Sequence, residues 1–483
     1  MNKSNKNSGL LSNELLQTDL KKRSLRSSLF VMSGSVLSML ISIGSTAILA
    51  RLLIPEYFGL IGMVMALTTI FERFKELGLH TATVQRKDIS YEQITNLFWI
   101  NAVFGILITI LLCILAQPVA WFYGDDRLIW ITIAISSSFL FSGLMIQHRA
   151  ILTRQMKFGQ ITTVEIGSAF ISIIIAIVLA LKGYGYWALV WREILRNLLM
   201  AIGFWIFSQW IPGMPVRNSK IGDMIKFGRD ISGFNLIYYF STTFDQVLIG
   251  KFLGATMVGL YRQASQLILL PLSYMTYPVQ SVAEPALSLL QNNDEKYRLY
   301  YRKIIQLVGF VSIPLMCYIL ICSRDIILLL LGDQWLDAVG IFRILVLAYF
   351  LRPVMSTTGF VLITRGETKK YFYMGLFSSI LLILGISFGI VWGAIGVAFG
   401  ILISRLVFYY PMLWYTFKDS PISIRLFLQA ILPSFIPSLI MAIALFYFTI
   451  NVSLGNSFFQ LSVSFIIALS NGSDPHVSNS SDL

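Results

Sequence analysis

Long apolar runs alternate with short polar segments along most of the chain. A helix rises about 1.5 Å per residue, so about 20 mostly apolar residues cross a hydrocarbon core of roughly 30 Å. Windows of that kind fall at 28–50, 56–79, 97–117, 127–147, 161–181, 186–208, 229–250, 257–285, 304–323, 338–363, 371–390, 393–416, 427–449 and 458–470. The pattern predicts an all-α polytopic membrane protein of about 14 transmembrane helices. The last window is the shortest and is followed by a polar tail, NGSDPHVSNSSDL, which is expected to be disordered. The first apolar run follows a polar segment and is too long for the core of a cleavable leader, so it reads as a membrane span. The polar segments are short, the longest lying near 209–228 and 286–303. That argues against an enzyme carrying a large extramembrane catalytic domain, and no non-membrane catalytic motif (GxSxG, HExxH, P-loop or kinase signature) is present.

Charge then orients the chain. Only 13% of the residues are charged and 56% are hydrophobic, against about 25% charged in soluble domains. The net charge is +13. In a soluble chain such an excess suggests nucleic acid. In a membrane chain it marks cytoplasmic loops, and no nucleic-acid partner is expected. With the N-terminus inside, the inner segments hold clusters such as Lys21, Lys22, Arg23, Arg26; Arg149, Arg154, Lys157; Arg217, Lys220, Lys226, Arg229; Lys296, Arg298, Arg302, Lys303; and Arg365, Lys369, Lys370. The outer segments hold only Arg51, Arg127, Lys182, Lys251 and Arg324. Lys21 to Arg26 also suit contact with anionic membrane lipids. Cys113, Cys317 and Cys322 lie in apolar runs without metal-ligand spacing, so neither a metal site nor a disulfide framework is expected. His80, His148 and His476 are scattered and read as interfacial or loop residues.

The two halves resemble each other. ILARLLIPEYFGLIG (48–62) aligns with LIGKFLGATMVGLYR (248–262), pairing Arg51 with Lys251 and Gly59 with Gly259. WFYGDDRL (121–128) echoes LLLGDQWL (329–336), pairing Gly124 with Gly332 and Asp125 with Asp333, and ILTR (151–154) echoes LITR (362–365). The shared order carries more weight than any single match. It predicts two parallel six-helix repeats plus two C-terminal helices. The expected layout is a cytoplasmic segment 1–27, an N-lobe 28–208, an inter-lobe loop 209–228, a C-lobe 229–416, two further helices within 417–470, and the tail 471–483. Six is an even number, so both halves enter from the same side, related by an axis along the membrane normal.

DQVLIGKFLGATMVGLYRQA (245–264), with its partner ARLLIPEYFGLIG (50–62), resembles the polysaccharide-transporter family. This is the Wzx-type flippase branch of the multidrug/oligosaccharidyl-lipid/polysaccharide exporter (MOP) superfamily, and the likeness is to colanic acid exporter-like lipopolysaccharide biosynthesis proteins. It covers roughly 25–450. The resemblance implies a MATE-like fold in the bacterial inner membrane. It also implies export of an undecaprenyl-diphosphate-linked oligosaccharide, an O-antigen, capsule or exopolysaccharide repeat unit. No cofactor is implied beyond H⁺ or Na⁺ coupling. The partners implied are the lipid-linked oligosaccharide, membrane lipids, and the polymerase and glycosyltransferases of the same pathway.

Charges at mid-bilayer depth are costly and mark cavities or partners. Arg196 lies about ten residues into its span, or roughly 15 Å at 1.5 Å per residue. Arg405 lies at similar depth in the repeat-equivalent helix, and Arg352 is near the middle of 338–363, beside Pro353. Arg192 sits one turn from Arg196. These four are the candidate cationic, substrate-binding set, because a guanidinium fork holds phosphate oxygens bidentately and does not deprotonate. Pairing with local acids or carbonyls is the structural alternative for each. Glu72, Arg73, Lys75 and Glu76 form a candidate cytoplasmic gate or vestibule, or a self-paired helix end. Asp245 is a candidate ion-coupling residue, or else the partner of Lys251 or Arg262. Tyr238, Tyr239, Tyr261 and Tyr349 suit sugar stacking, but belts and packing account for most aromatics. A drug or organic-cation exporter of the same superfamily is the competing function, and its site should be acidic. A membrane polymerising enzyme is the third, and it would need a sizeable outer loop.

Overall fold

The computed structural model describes residues 20–75, 80, 83–84, 86, 89–216 and 222–451, with backbone alone in 20–33, 73–75, 222–240, 277 and 450. These residues form helices, with no strand among them. Lipid offers the backbone no hydrogen-bond partner, so each crossing segment must satisfy its own N–H and C=O groups. The first six helices are α1 (Leu20–Leu52), α2 (Pro55–Lys75), α3 (Tyr91–Tyr123), α4 (Arg127–Arg154), α5 (Phe158–Leu181) and α6 (Tyr186–Ser208). α7 (Gly222–Leu289) is two helices that meet at Gly254, whose φ of 83° is non-helical, in line with the separate spans that the sequence pattern predicts at 229–250 and 257–285. Then follow α8 (Asp294–Ile321), α9 (Ser323–Leu330), α10 (Ala338–Tyr349), α11 (Arg352–Thr364), α12 (Thr368–Gly389), α13 (Gly393–Phe417) and α14 (Ile424–Asn451). The predicted span 338–363 is thus two helices, α10 and α11. The window 458–470 and the tail lie outside the described residues.

Helix ends are set by local chemistry. Ser90 caps α3 by accepting the Gln93 N–H, while the Gln93 side chain accepts the Ser90 N–H. This reciprocal pair satisfies two donors that a helix start would otherwise leave open. α3 stops at Gly124, whose φ of 75° is left-handed. Its repeat partner Gly332 has φ 97°. A side chain is strained in that region and glycine is not, so the paired turns are fixed by the paired glycines.

The chain divides into two compact units, residues 1–259 and 260–483. In the first, α1 packs on α5, α3 on α4, and both α4 and α5 on α6. In the second, α8 packs on α14, and both α10 and α12 pack on α13. The pairs α4–α6 and α5–α6 therefore return as α10–α13 and α12–α13, which is the repeat expressed as packing. Within the first unit the repeat also meets itself. A Cβ added to Gly59 would fall against the Ala255 carbonyl, and one added to Gly259 against the Pro55 carbonyl. Equivalent positions thus touch reciprocally, and only glycine permits backbones that close.

Polarity is arranged for lipid. Ile106, Leu107, Ile110 and Ile114 on α3 and Ile436, Leu439, Ile440 and Ile443 on α14 are exposed. Meanwhile α4 buries Thr132, Ser136, Ser142 and Gln147. Exposed apolar stripes of this extent need a nonaqueous surround, and small polar residues suit close helix contacts within it. His148 is a packing residue. It lies within α4, fully buried, with Nδ1 2.8 Å from Ser208 Oγ and its ring 4.3 Å from that of Trp205. Trp210 and Phe98 close the same aromatic box. His80 is half-buried, and His476 lies outside the described residues.

Candidate functional site

The second unit brings together two of the predicted cations. The helical ladder slackens after Tyr349, where the Phe350 N–H reaches the Leu347 carbonyl three residues back, at 3.3 Å. α11 then restarts with Arg352 and Pro353 in its first turn, where proline's missing N–H costs nothing. Arg352 lies over the ring of Tyr349, 5.3 Å from its centroid, across this break. Arg405 projects from the middle of α13, with Tyr409 one turn further on the same face. Tyr409 lies within electrostatic reach of Arg405, Arg352 and Tyr349. Arg352 and Arg405 are both half-buried. Neither forms an ion pair with a carboxylate among the described residues. Arg405 Nε and Tyr409 Oη are buried without a hydrogen-bond partner. Two like charges at mid-span with no carboxylate paired to either among the described residues form an anion-attracting locus.

The first unit treats its pair differently. Arg192 and Arg196 share a face of α6, Arg192 half-buried and Arg196 exposed. Glu193 is close enough to act electrostatically on Arg192, and its Oε1 accepts a hydrogen bond from Asn197 Nδ2 at 3.1 Å. This pair therefore has an acid beside it, whereas the cluster of the second unit does not.

Asp245 is buried in α7 and accepts the Gln246 N–H at 2.7 Å. Lys251 turns its ammonium to the Phe122 carbonyl and ring. Of the candidate vestibule, Glu72 is half-buried near the end of α2, Arg73 and Lys75 have described backbone alone, and Glu76 lies outside the described residues. At the other end of α2, Glu56 and Asp125 both pair with Arg127, at 2.6 and 2.7 Å. The Arg127 guanidinium holds the Asp125 carboxyl below the usual carboxylate range.

Sequence reasoning missed the strap formed by 209–216. Asn96 grips Val216 through both its amide atoms, at 2.7 and 2.8 Å. Tyr91 and Trp99 donate to the carbonyls of Ile211 and Gly213, each at 2.8 Å. All three gripping residues sit in the first turns of α3, so the first residues of the loop leaving α6 are pinned to α3. Tyr409 was missed as well, although its four-residue spacing from Arg405 is legible. Among the described residues no group of three or more His, Cys, Asp or Glu is placed to hold a metal.

The family model described as polysaccharide biosynthesis protein matches residues 48–340, more than half of the chain. The chain belongs to this family. Among its relatives is the lipopolysaccharide biosynthesis protein WzxC of Escherichia coli K12, 23% identical over 74% of each chain. The teichuronic acid biosynthesis protein TuaB of Bacillus subtilis 168 is 26% identical over 68% of this chain and 71% of its own. Among solved structures, the lipid II flippase MurJ in an inward closed conformation superposes with a TM-score of 0.74, at 18% identity, over 93% of this chain and 97% of its own. An inward-facing multidrug resistance MATE transporter of the MOP superfamily gives 0.55, at 14% identity, over 86% and 95%. The fold is therefore the MATE-like helical fold, and the chain is a multi-pass membrane protein.

Proposed function

We propose that this chain is a flippase that translocates an undecaprenyl-diphosphate-linked oligosaccharide across the bacterial inner membrane. The observation that carries the reading is the Arg352–Arg405 cluster: two guanidiniums at mid-span, with no carboxylate paired to either among the described residues. A diphosphate must leave water to cross, and fixed cations replace the hydration it loses. Arg196 and Arg192 on α6 are the candidate cationic residues of the first unit. Likeness to both MurJ and MATE proteins leaves cargo open, since fold does not fix function. Polarity favours an anion, because a site for organic cations would present acids. The names of the relatives place them in polysaccharide and teichuronic acid synthesis, which agrees with a lipid-linked sugar as cargo. Two repeats, read as lobes over 28–208 and 229–416, supply the two-fold element that alternating access needs. The N-terminus is cytoplasmic in this reading, Glu72, Arg73, Lys75 and Glu76 form the vestibule, and Asp245 couples transport to H⁺ or Na⁺. Polymerase and glycosyltransferases of the pathway consume and supply the cargo.

The test is flipping of a fluorescent undecaprenyl-diphosphate oligosaccharide by the full chain in liposomes. Charge-assisted contacts are worth about 1.5–3 kcal/mol each, so Arg196→Ala with Arg405→Ala should slow transport by roughly 100-fold or more. Insertion and thermal midpoint should stay near wild type. Undiminished flipping by the double variant would overturn the cationic reading.

A further inference from the structure

We infer that Tyr409 is a phosphoryl-recognising residue, which with Arg405 and Arg352 forms a headgroup cradle contained within the second unit. This rests on the lipid-diphosphate reading above and assigns it a donor that carries no charge of its own. The chemistry of the cluster is one-sided. Arginine has donors and no acceptor, and a tyrosine hydroxyl among cations serves them best as donor to an incoming anion. Arg405 Nε and Tyr409 Oη are both buried and both without a partner. Each costs the desolvation of a polar atom unless a ligand restores the bond. An acceptor, the oxygen of an amide or a carboxylate, would have closed the network, and none is paired to Arg405 Nε or Tyr409 Oη among the described residues.

Geometry explains why the donors converge. Four residues separate Arg405 from Tyr409, so one face of α13 carries both. The break between α10 and α11 brings Tyr349 beneath Arg352, and the ring face directs the guanidinium instead of neutralising it. A ligand that satisfies the set must be multiply anionic, rich in acceptor oxygens and compact. A phosphoryl group of a diphosphate fits, and a monocarboxylate offers too few oxygens. The first unit lacks this arrangement, since Glu193 lies beside its arginines.

The experiment measures binding of farnesyl diphosphate, a short-chain polyprenyl diphosphate, to the full chain in detergent. The chain is compared as wild type, Tyr409→Phe and Arg405→Gln. Phenylalanine keeps the ring and removes only the hydroxyl, so an unchanged thermal midpoint verifies the fold. Both variants should bind at least about tenfold more weakly, as expected for a lost hydrogen bond to a charged group. Weakening by Arg405→Gln alone overturns the role of Tyr409 and leaves the cationic reading standing. No change in either variant overturns both. Inorganic pyrophosphate should compete, but far more weakly than farnesyl diphosphate. Equal binding of the two would overturn a lipid headgroup as the source of the phosphoryl group.

Discussion

The reciprocal contact of Gly59 and Gly259 gives a sharp test of whether the repeat in the sequence is a packing unit. A methyl at Gly59 would lie 2.5 Å from the carbonyl carbon of Ala255, and one at Gly259 would lie 2.9 Å from that of Pro55. Nonbonded carbons rest at about 3.5–4.0 Å. The carbonyl oxygens lie nearer still, so either Gly→Ala change forces α2 and the following part of α7 apart by more than about 1 Å, and overpacking of this kind costs about 1–3 kcal/mol. Both clashes occur at one crossing, so the separation needed by the first methyl largely accommodates the second. The double variant should be less destabilised than the sum of the singles, by about 1 kcal/mol, where distant sites add within roughly 0.5 kcal/mol. Unfolding of the four proteins in detergent, followed by far-UV circular dichroism, completes the cycle. Strict additivity, or single variants as stable as wild type, would refute a shared crossing.

Other changes reach separate parts of the molecule. Asn96→Leu removes both hydrogen bonds to Val216 and should cost about 1–2 kcal/mol, since Val216 is open enough for water to replace part of them; faster proteolysis within 209–216 is the readout. Asp125 is held below its ordinary pKa by Arg127, so its contribution is full above the unfolded value of about 3.9 and is lost as pH falls through the folded one. The group is partly exposed, so the effect should be at most about 1 kcal/mol, seen as a smaller acid-induced drop in thermal midpoint for Asp125→Asn than for wild type. Asp245→Asn should change the dependence of flipping on an imposed H⁺ or Na⁺ gradient in proteoliposomes; identical dependence in both forms would remove Asp245 from coupling.

The run of apolar windows by itself determined that the described chain is helical, because a lipid surround leaves a segment no alternative to satisfying its own backbone. It did not determine every helix boundary: 338–363 is two helices, and Ser323–Leu330 falls almost wholly outside the windows. The short echoes around Gly59, Gly124 and Arg154 likewise determined the repeat, and the left-handed turns at Gly124 and Gly332 express it in the backbone. Arg352 and Arg405 were legible as costly charges at depth. Their meeting with Tyr349 and Tyr409 was not, because hydropathy records how apolar a segment is and not how helices rotate against each other. The break before Arg352 had one local sign, Pro353, but the apolar run on either side of it reads as a single span while the hydrogen-bond ladder slackens. His148 shows the limit from the other side. Its burial rests on Trp205, Trp210 and Ser208, far along the chain, and only packing of α4 against α6 brings them to it. Local pattern fixes elements because backbone hydrogen bonding is local. Sites made across helices are fixed by side-chain packing, which only the folded chain decides.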